Sequence, residues 1–305
     1  MSEKKKIFAL VSRSYTESIL DSMEKIATFL TQAGHIAVYE SQTAMNIPFE
    51  NITPMNIEDI GAKAEAVIVI GGDGTMLGIA RRLSLYTAPL IGVNHGRLGF
   101  MTDISLDQML PVLDQVLQGK YVSETRFLID GVIIRDGEPI YQAVAFNDIV
   151  ISRGGGFGMI DLKVDVDGHF MYQQRSDGLI ISTPTGSTAY SLSAGGPMMH
   201  PNLGGIAIVS IAPHSLSNRP ILVPDTSEIV IEVVEANQPS INYDSQSFAS
   251  LRLGDRIIVK RSPNTITFLH PQGWSYYDTL RNKLYWGESA KQENKMKVPP
   301  LMPTE

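Results

Sequence analysis

The stretch 65–75, Glu-Ala-Val-Ile-Val-Ile-Gly-Gly-Asp-Gly-Thr, decides the fold of the first part of the chain. Residues 66–70 are apolar and rich in β-branched side chains, which predicts a strand buried on both faces of a parallel sheet. The strand is predicted to end at the glycines, and a helical pattern begins at Thr75, with Arg81 and Arg82 facing water. Asp73 is therefore expected at the carboxyl end of a sheet strand, ahead of a helix N-terminus.

Asp73 is a candidate functional residue because of these neighbours. Glycines let backbone N–H groups come close to a phosphate, and a helix N-terminus favours negative charge. An acid in that place could accept a proton from an attacking hydroxyl or help to hold a magnesium ion. The alternative is that Asp73 only caps the helix, because Asp is a preferred N-cap and Gly-Asp-Gly is ordinary turn chemistry.

Strands and helices alternate on both sides of this stretch. Strands are predicted over 7–11, 36–39 and 89–93, and helices from residue 14, over 57–62 and over 106–117. This alternation predicts an α/β N-terminal doubly wound domain over residues 1–122. The glycine-containing loop 94–100 follows a strand, so it is also expected at the carboxyl edge of the sheet, where ligands of open α/β sheets bind.

Short β-like runs replace the alternation after residue 122. Turn residues separate these runs, one of which spans 141–151, and helical patterns are nearly absent. The pattern predicts a mostly β, sandwich-like C-terminal domain over 123–279. Residues 280–295 are predicted to pack back on the first domain, and residues 296–305 to form a loose tail.

Two polar segments of the second half are candidate binding sites. Asn147-Asp148 lies within an apolar run, where Asn and Asp are poor strand formers, so the pair faces a ligand or marks a bulge or turn. Residues 183–197 hold the densest run of hydroxyls, small residues and glycines in the chain. This run could present donors to a polar ligand, with Tyr190 against a base, or form a small-residue helix packed on a sheet.

Composition narrows the functional classes. Of 305 residues, 43% are apolar and 19% charged, which is typical of a globular protein. The net charge of −7 argues against a nucleic-acid partner. Cysteine is absent, which excludes disulfides, thiolate nucleophiles and Cys-ligated zinc. The first apolar stretch ends at Ser12, too short for a signal peptide or a membrane span, so we expect a cytoplasmic protein without a membrane partner.

Several common site motifs are missing from the sequence. The chain has no Walker A pattern and no Gly-x-Ser-x-Gly elbow, and residues 72–78 miss the dinucleotide fingerprint by one position. The histidines form no His-x-x-x-His pair, so most are expected to be structural and a zinc site is not predicted. They are His35, His95, His169, His200, His214 and His270, of which His95 lies in the candidate loop.

Four segments together resemble the bacterial NAD kinases: 71–75, 94–100, Asn147-Asp148 and 176–197. The first is shared with diacylglycerol and sphingosine kinases and with phosphofructokinases, whereas the last is much more specific. The resemblance implies transfer of the γ-phosphoryl group of ATP to the adenosine 2′-hydroxyl of NAD, giving NADP, with Mg²⁺ or another divalent cation. It implies that Asp73 is the general base and that the protein is a homotetramer or homodimer.

The resemblance also implies binding residues. Those for phosphate and ATP are Gly71, Gly72, Gly74 and Thr75. Those for NAD are Asp73, Gly74, Asn147, Asp148, Arg175, Asp177, Thr188, Ala189, Tyr190, Ser191, Leu192, Ser193 and Gln246. Two positions depart from the family pattern: Asp148 replaces a longer glutamate, and Ser245 replaces the glycine of a family Asp-Gly-Gln. No residue is assigned to the metal.

Two other functions are compatible with part of this sequence. A lipid or sphingoid kinase would share residues 71–75, but the hydroxyl-rich run at 183–193 does not suit an apolar acceptor. A regulatory protein that binds NADP without turnover is the other alternative, which the intact Asp73 disfavours.

Overall fold

The computed structural model describes residues 5–96, 99–155 and 158–284. Its N-terminal part is a parallel sheet with strand order β3-β2-β1-β4-β5, and a short β6 pairs with β5. The strands are β1 (Ile7–Val11), β2 (Ile36–Glu40), β3 (Pro54–Met55), β4 (Ala66–Gly71), β5 (Leu90–Asn94) and β6 (Ile104–Ser105). The helices are α1 (Glu17–Gln32), α2 (Ser41–Ala44), α3 (Ile57–Lys63), α4 (Asp73–Leu83) and α5 (Met109–Leu117).

Helices cover both faces of this parallel sheet. Apolar residues of α1 and α5, such as Met23 and Leu113, share one core with Ile68 of β4. Residues of α3 and α4, such as Ile60, pack with Val69 against the opposite face. The doubly wound arrangement is confirmed, and its cause is the continuous apolar run in strands that are buried on both sides.

The C-terminal part is built from long and short strands in two layers. Its strands are β7 (Tyr121–Arg135), β8 (Glu138–Ala145), β9 (Asp148–Ser152), β10 (Ile160–Val166), β11 (His169–Ser176), β12 (Gly178–Ser182), β13 (Gly205–Ile211), β14 (Ile221–Pro224), β15 (Ile229–Glu235), β16 (Ser240–Tyr243), β17 (Ser247–Ser250) and β18 (Arg256–Pro271). Two short helices, α6 (Tyr190–Ser193) and α7 (Tyr276–Leu284), accompany them, and a 3-10 turn at Thr185–Thr188 precedes α6.

The two layers form a sandwich. One layer is an antiparallel sheet in the order β14-β13-β12-β9-β16-β17, and the other contains β7, β8, β10, β11, β15 and β18. Ile149 and Ile151 of β9 point into the core between the layers, whereas Val150 belongs to a smaller cluster on the outer face. This alternation is the period of a strand with two different faces. The predicted sandwich-like second domain is confirmed.

A long ribbon of β7 and β18 joins the two parts. The strands pair antiparallel from Arg256 opposite Ile134 to Pro271 opposite Tyr121, with one register shift between Arg261 and Thr265. The first part of β18 pairs with β15, and its Phe268 pairs in parallel with Leu90 of β5. One sheet of twelve strands therefore runs through both parts of the molecule. The domain limits 1–122 and 123–279 remain predictions.

Two further predictions about segments need comment. Of the segment 280–295 only residues 280–284 lie in the described part, and 296–305 lies wholly outside it. The strand predicted over 141–151 is wrong in its continuity: β8 ends at Ala145 and β9 begins at Asp148. The chain passes from one sheet to the other at that point, which a continuous strand could not do. Within the described ranges no helix is long and apolar enough to cross a membrane.

The prediction that Arg81 and Arg82 face water is wrong for Arg81, whose side chain is 11% exposed, whereas the Arg82 side chain is 33% exposed and partly faces solvent. Arg81 Nε donates to the Val144 carbonyl at 3.0 Å, and its Nη2 donates to Ser247 Oγ at 2.9 Å. Arg82 Nη2 donates to Glu40 Oε1 at 3.1 Å. Both guanidinium groups thus hold α4 to its neighbours, and Arg81 connects it to the sandwich.

Candidate active site

Asp73 is the first residue of α4, two residues before the predicted helix start, and Gly72 is the N-cap. The Asp73 carboxylate instead binds the loop that follows β5. Its Oδ2 accepts from the Phe100 N–H at 2.8 Å and its Oδ1 from the Met101 N–H at 3.0 Å. The interpretation of Asp73 as a helix cap is therefore wrong. Both carboxylate oxygens of Asp73 thus have backbone N–H donors at the start of α4.

Gly99 makes this contact between Asp73 and the loop possible. A Cβ atom at Gly99 would lie 2.1 Å from Asp73 Oδ1 and 2.4 Å from Thr102 Oγ1, so no side chain fits there. Thr102 is fully buried and accepts from Asn94 Nδ2 at 2.9 Å. The loop 99–102 thus belongs to a fixed frame around the carboxylate. The predicted motif 94–100 contributes this frame, although residues 97 and 98 lie outside the described chain.

The glycines around Asp73 differ in their surroundings. A Cβ atom at Gly71 would lie 2.9 Å from Thr75 Oγ1, so packing requires glycine there. No atom lies within 4 Å of a Cβ built on Gly72 or Gly74, and both residues are exposed. Protein packing therefore does not explain these two glycines. The close approach of a ligand to the backbone would explain them.

Asp244 organises the second group of candidate residues. Its buried carboxylate accepts from the backbone N–H groups of Phe146 at 2.8 Å, Asn147 at 2.7 Å and Asp148 at 3.0 Å. Arg81 Nε lies 3.4 Å from its Oδ2. Asn147-Asp148 is thus a corner between two sheets, held from the side by a carboxylate. The Asn147 side-chain oxygen is buried and has no hydrogen-bond partner in the described chain.

Asp148 is 4% exposed and carries an unusual carboxyl group. Burial, and secondarily the neighbouring charge of Asp244, raise the pKa of Asp148 to about 7. Burial raises the pKa of Asp244 as well, and its three N–H donors and Arg81 oppose that rise.

The run after β12 packs directly on Asn147. Thr183 Oγ1 donates to the Phe146 carbonyl at 2.6 Å, and a Cβ at Gly186 would lie 2.1 Å from the backbone carbonyl oxygen of Asn147. Ala194 and Met199 pack on the outer face of the sandwich, so the small-residue packing interpretation holds for that end of the run. The six predicted NAD residues of this run are Thr188, Ala189, Tyr190, Ser191, Leu192 and Ser193. The Tyr190 ring is exposed, and the buried Ser191 Oγ has no hydrogen-bond partner among the described residues.

The structure brings several of the predicted residues together. Phe146, next to Asn147, shares a core with Met76 and Leu77 in the first turns of α4. The turn with Gln246 follows Asp244 and is therefore beside the Asn147-Asp148 corner. Asp73, Asn147, Asp148, the run 183–193 and Gln246 thus border the same junction between the two parts.

Arg175 and Asp177 lie elsewhere. In β12, Ser182 is opposite Asp148, whereas Gly178, next to Asp177, is opposite Ser152. At about 3.3 Å per residue, β12 separates Asp177 from Thr183 by about 20 Å. Asp177 forms an ion pair with Arg153, with Nε and Oδ1 3.4 Å apart.

Arg81, Asp244 and Thr102 are contributors that sequence reasoning did not assign to the site. Arg81 follows an apolar helix face and looks like a solvent-facing residue, and Thr102 lies outside the motif. Asp244 directly precedes Ser245 and Gln246, but the sequence does not reveal its role, because its partners are backbone N–H groups about a hundred residues away. The φ angles of Asp244 (55°) and Ser245 (54°) are both positive. This turn therefore adopts the left-handed backbone conformation that favours glycine, although position 245 is a serine.

Known protein families and relatives match nearly the whole chain. The family described as ATP-NAD kinase N-terminal domain matches residues 8–121, and the ATP-NAD kinase C-terminal domain matches residues 146–270. An NAD kinase of Cupriavidus pinatubonensis is 51% identical over 291 residues, covering 95% of both chains. An NAD kinase of Burkholderia orbicola is 52% identical over 289 residues, covering 95% of this chain and 96% of that protein.

Two solved structures share the fold. The yeast NADH kinase in complex with NADH superposes with a TM-score of 0.85 at 23% identity, covering 94% of this chain and 89% of that one. An NAD kinase from Archaeoglobus fulgidus in complex with ATP gives a TM-score of 0.71 at 23% identity, covering 92% and 97%. With both domain matches and the relatives at half identity, the chain belongs to the NAD kinase family.

Proposed function

We propose that the chain catalyses divalent-cation-dependent transfer of the γ-phosphoryl group of ATP to the adenosine 2′-hydroxyl of NAD. The observation that carries this proposal is the Asp73 carboxylate, fixed by two N–H groups at the start of α4 between the exposed Gly72 and Gly74. The names of the relatives support the reaction. The ATP and NADH in the two solved structures support the choice of nucleotides.

In this reaction the 2′-oxygen forms a bond to the γ-phosphorus, and the bond from that phosphorus to the β,γ-bridging oxygen breaks. ADP leaves, and the hydroxyl proton passes to Asp73. Oδ1 also accepts from Thr102 Oγ1 at 3.4 Å, whereas Oδ2 accepts only from the Phe100 N–H among the described contacts. Oδ2 therefore keeps a lone pair with which Asp73 can accept a proton inside this frame. The exposed backbone of residues 71–75 would hold the phosphates at the helix N-terminus. Positioning and charge stabilisation are the main demands of phosphoryl transfer.

A divalent cation fits this site if it is bound by the triphosphate of ATP. The described residues contain no group of three or more His, Asp or Glu that could hold a metal ion. Magnesium commonly keeps several waters and binds substrate phosphates with few protein ligands. We therefore propose that the triphosphate holds the cation, which would neutralise charge on the transferring group, and we assign no protein ligand to it.

NAD specificity is assigned to the corner and the run beside it. The orphaned oxygen of Asn147 and the orphaned Ser191 Oγ are buried polar atoms that a bound ligand could satisfy. Asp148, Thr188, Ala189, Leu192, Ser193 and Gln246 complete this set, with Tyr190 against a base. A site built to hydrogen-bond an adenosine rejects acceptors without those groups, which disfavours the lipid kinase alternative. We also propose a cytoplasmic location, as predicted from the sequence.

The positions of Arg175 and Asp177 suggest that a second copy of the chain completes the NAD site. Because β12 separates them from the Asn147-Asp148 corner, we propose that they reach NAD bound by a second copy in a homotetramer or homodimer. Asp177→Ala is expected to raise the KM for NAD about tenfold, the cost of losing one hydrogen bond to a charged group. Steady-state kinetics at saturating ATP measures this effect, and an unchanged KM removes Asp177 from the site.

Mixed oligomers test whether the contribution comes from another copy. Asp73→Asn chains lack the base but still carry Asp177, so co-refolding them with Asp177→Ala chains creates sites in which both residues are intact. Activity above the sum of the separate variants is expected. Simple additivity after verified mixing contradicts a shared site.

The Asp148 carboxyl is expected to make NAD use dependent on pH. An ionised carboxylate accepts a hydrogen bond from ribose more strongly than a protonated one, so kcat/KM for NAD should rise as pH increases through about 7, the pKa of Asp148 in the folded chain. Because this value lies above the ordinary 3.8, ionisation also lowers the free energy of unfolding as pH rises between the two. The Asp148→Asn variant should have a lower kcat/KM without that rise; an identical rise in the variant would assign it to another group.

The reaction itself is tested by NADP formation from NAD and ATP, read with an NADP-specific dehydrogenase, with and without Mg²⁺. Sphingosine and diacylglycerol serve as rival acceptors. Cation-dependent NADP formation is expected. Phosphate on a lipid would support the lipid kinase alternative, and NADP binding without any transfer would support the regulatory one.

A further inference from the structure

A buried cluster of charged side chains lies next to the Asp73 frame, at the end of β18. Its centre is His270, 1% exposed. His270 Nδ1 is 2.8 Å from Asp103 Oδ2, and Nε2 is 3.2 Å from Glu124 Oε2. Arg126 Nε donates to the same Glu124 oxygen at 2.8 Å. The Trp274 ring stacks on His270, with centroids 3.9 Å apart and planes 7° apart. Two hydrogen bonds and the stacking contact together fix the orientation of the His270 ring.

Asp103 connects this cluster to the candidate base. It follows Thr102 directly, so it is the continuation of the loop whose Phe100 and Met101 N–H groups bind Asp73. Inside that loop the Gly99 N–H donates to the Thr102 carbonyl at 3.2 Å. The loop is therefore fixed at one end by Asp73 and Asn94 and at the other by His270. The β7 and β18 ribbon, which bears Glu124, Arg126 and His270, is the support.

The same C-terminal segment also reaches the run that follows β12. Tyr276 Oη donates to the Met199 carbonyl at 3.1 Å, and the Met199 N–H donates to Ser187 Oγ at 2.9 Å. Residues 270–276 thus touch supports of the proposed base and of the proposed NAD site. The contact through His270 is the shorter route, because one residue, Asp103, lies between it and the loop.

We propose that Asp103 and His270 are positioning residues, which hold the loop 99–102 so that its N–H groups orient the Asp73 carboxylate for proton transfer. This inference rests on the proposed role of Asp73 as the base. Burial disfavours a charged His270, but the hydrogen bonds that its ring donates to Asp103 and Glu124 outweigh burial and raise the pKa of His270 above its ordinary value. The pair is thus a charge-assisted bond, which is stronger and better directed than a neutral one.

Asp103→Ala is the decisive variant, since it cuts the link on the loop side and leaves His270 paired with Glu124. A misplaced carboxylate is expected to lower kcat by about 10²-fold. The KM values for NAD and ATP should stay within about threefold, because the loss concerns the transition state and not ground-state binding. Asp103→Asn keeps an oxygen that accepts from His270 and should recover most of kcat.

The matched control is Asp255→Ala in the sandwich. Asp255 is 1% exposed and accepts from Arg135 Nε at 2.8 Å and from the Arg252 N–H at 2.7 Å, so its loss also breaks a buried ion pair. It should lower thermal stability while leaving kcat unchanged. If Asp103→Ala gives too little folded protein, His270→Gln replaces it: the amide can still donate to Glu124, and the same loss of kcat is expected.

Combination with Asp73→Asn separates positioning from general damage. In the Asp73→Asn background, Asp103→Ala should cause no further loss of kcat, because both changes act on one carboxylate. Additive losses, or a kcat within about threefold of wild type in Asp103→Ala, overturn the inference. If Asp73→Asn itself retains activity, the proposed base has failed; if only the Asp103 and His270 variants retain it, the base stands and the positioning role falls.

Discussion

Asp73→Asn is expected to lower kcat for NADP formation by about 10³-fold, within the range for loss of a general base. The amide has the size of the carboxylate but cannot take up the hydroxyl proton. In the variant, the side-chain NH2 group would face one of the two loop N–H groups that bind the carboxylate in the wild type. Two donors cannot form a hydrogen bond with each other, so one loop contact is lost. Titration calorimetry of NAD binding and steady-state kinetics together measure both parts of the effect.

NAD affinity in this variant should remain within about threefold of wild type, since the corner and the run beside it are unchanged. Asp21→Asn is the control, because Asp21 is an exposed residue of α1 that pairs only with Lys25 among the described contacts. Its kcat should equal that of wild type. Near-normal turnover by Asp73→Asn would remove Asp73 from the chemistry.

Asp244→Ala is expected to have the largest effect on stability, about 3–5 kcal/mol of unfolding free energy, the range for breaking a buried ion pair. The substitution leaves the N–H groups of Phe146, Asn147 and Asp148 without their acceptor. It also leaves Arg81 without its opposite charge. Denaturant unfolding followed by circular dichroism measures the loss.

Asp244→Asn separates the two contributions, because its amide oxygen can still accept from the backbone while the charge opposite Arg81 is gone. An intermediate stability is expected. As the control, Asp21→Ala should change the unfolding free energy by no more than about 0.5 kcal/mol, as is usual for an exposed side chain. An Asp244→Ala variant as stable as this control would show that the corner does not depend on the carboxylate.

The parts of the fold that the sequence could predict are those with a strong local pattern. The run 66–70 is apolar throughout, rich in β-branched residues and followed by glycines, a combination that favours a strand buried on both faces of a parallel sheet. The sandwich followed from alternation and turns. Residues 71–75 placed Asp73 at the correct edge, because parallel strands deliver their carboxyl ends to the same side of a sheet.

The remaining features depend on residues far apart in the chain. Arg81 looks like a solvent-facing residue until Val144, Ser247 and Asp244 are placed beside it. Similarly, nothing in the neighbourhood of Asp73 shows that its carboxylate binds the N–H groups of Phe100 and Met101 instead of its own helix. The full length of β18 does not follow from its local pattern, since its pairing with β5 and β7 is set by distant partners.

The β7 and β18 ribbon has a mechanical consequence. Two connections between domains act as a hinge when each can rotate independently, but here the two connections are paired with each other along their length. Rotation of one domain against the other would have to bend this two-stranded ribbon. Its ladder of hydrogen bonds is interrupted at the register shift between Arg261 and Thr265. Large scissor-like opening of the two parts is therefore costly in this architecture.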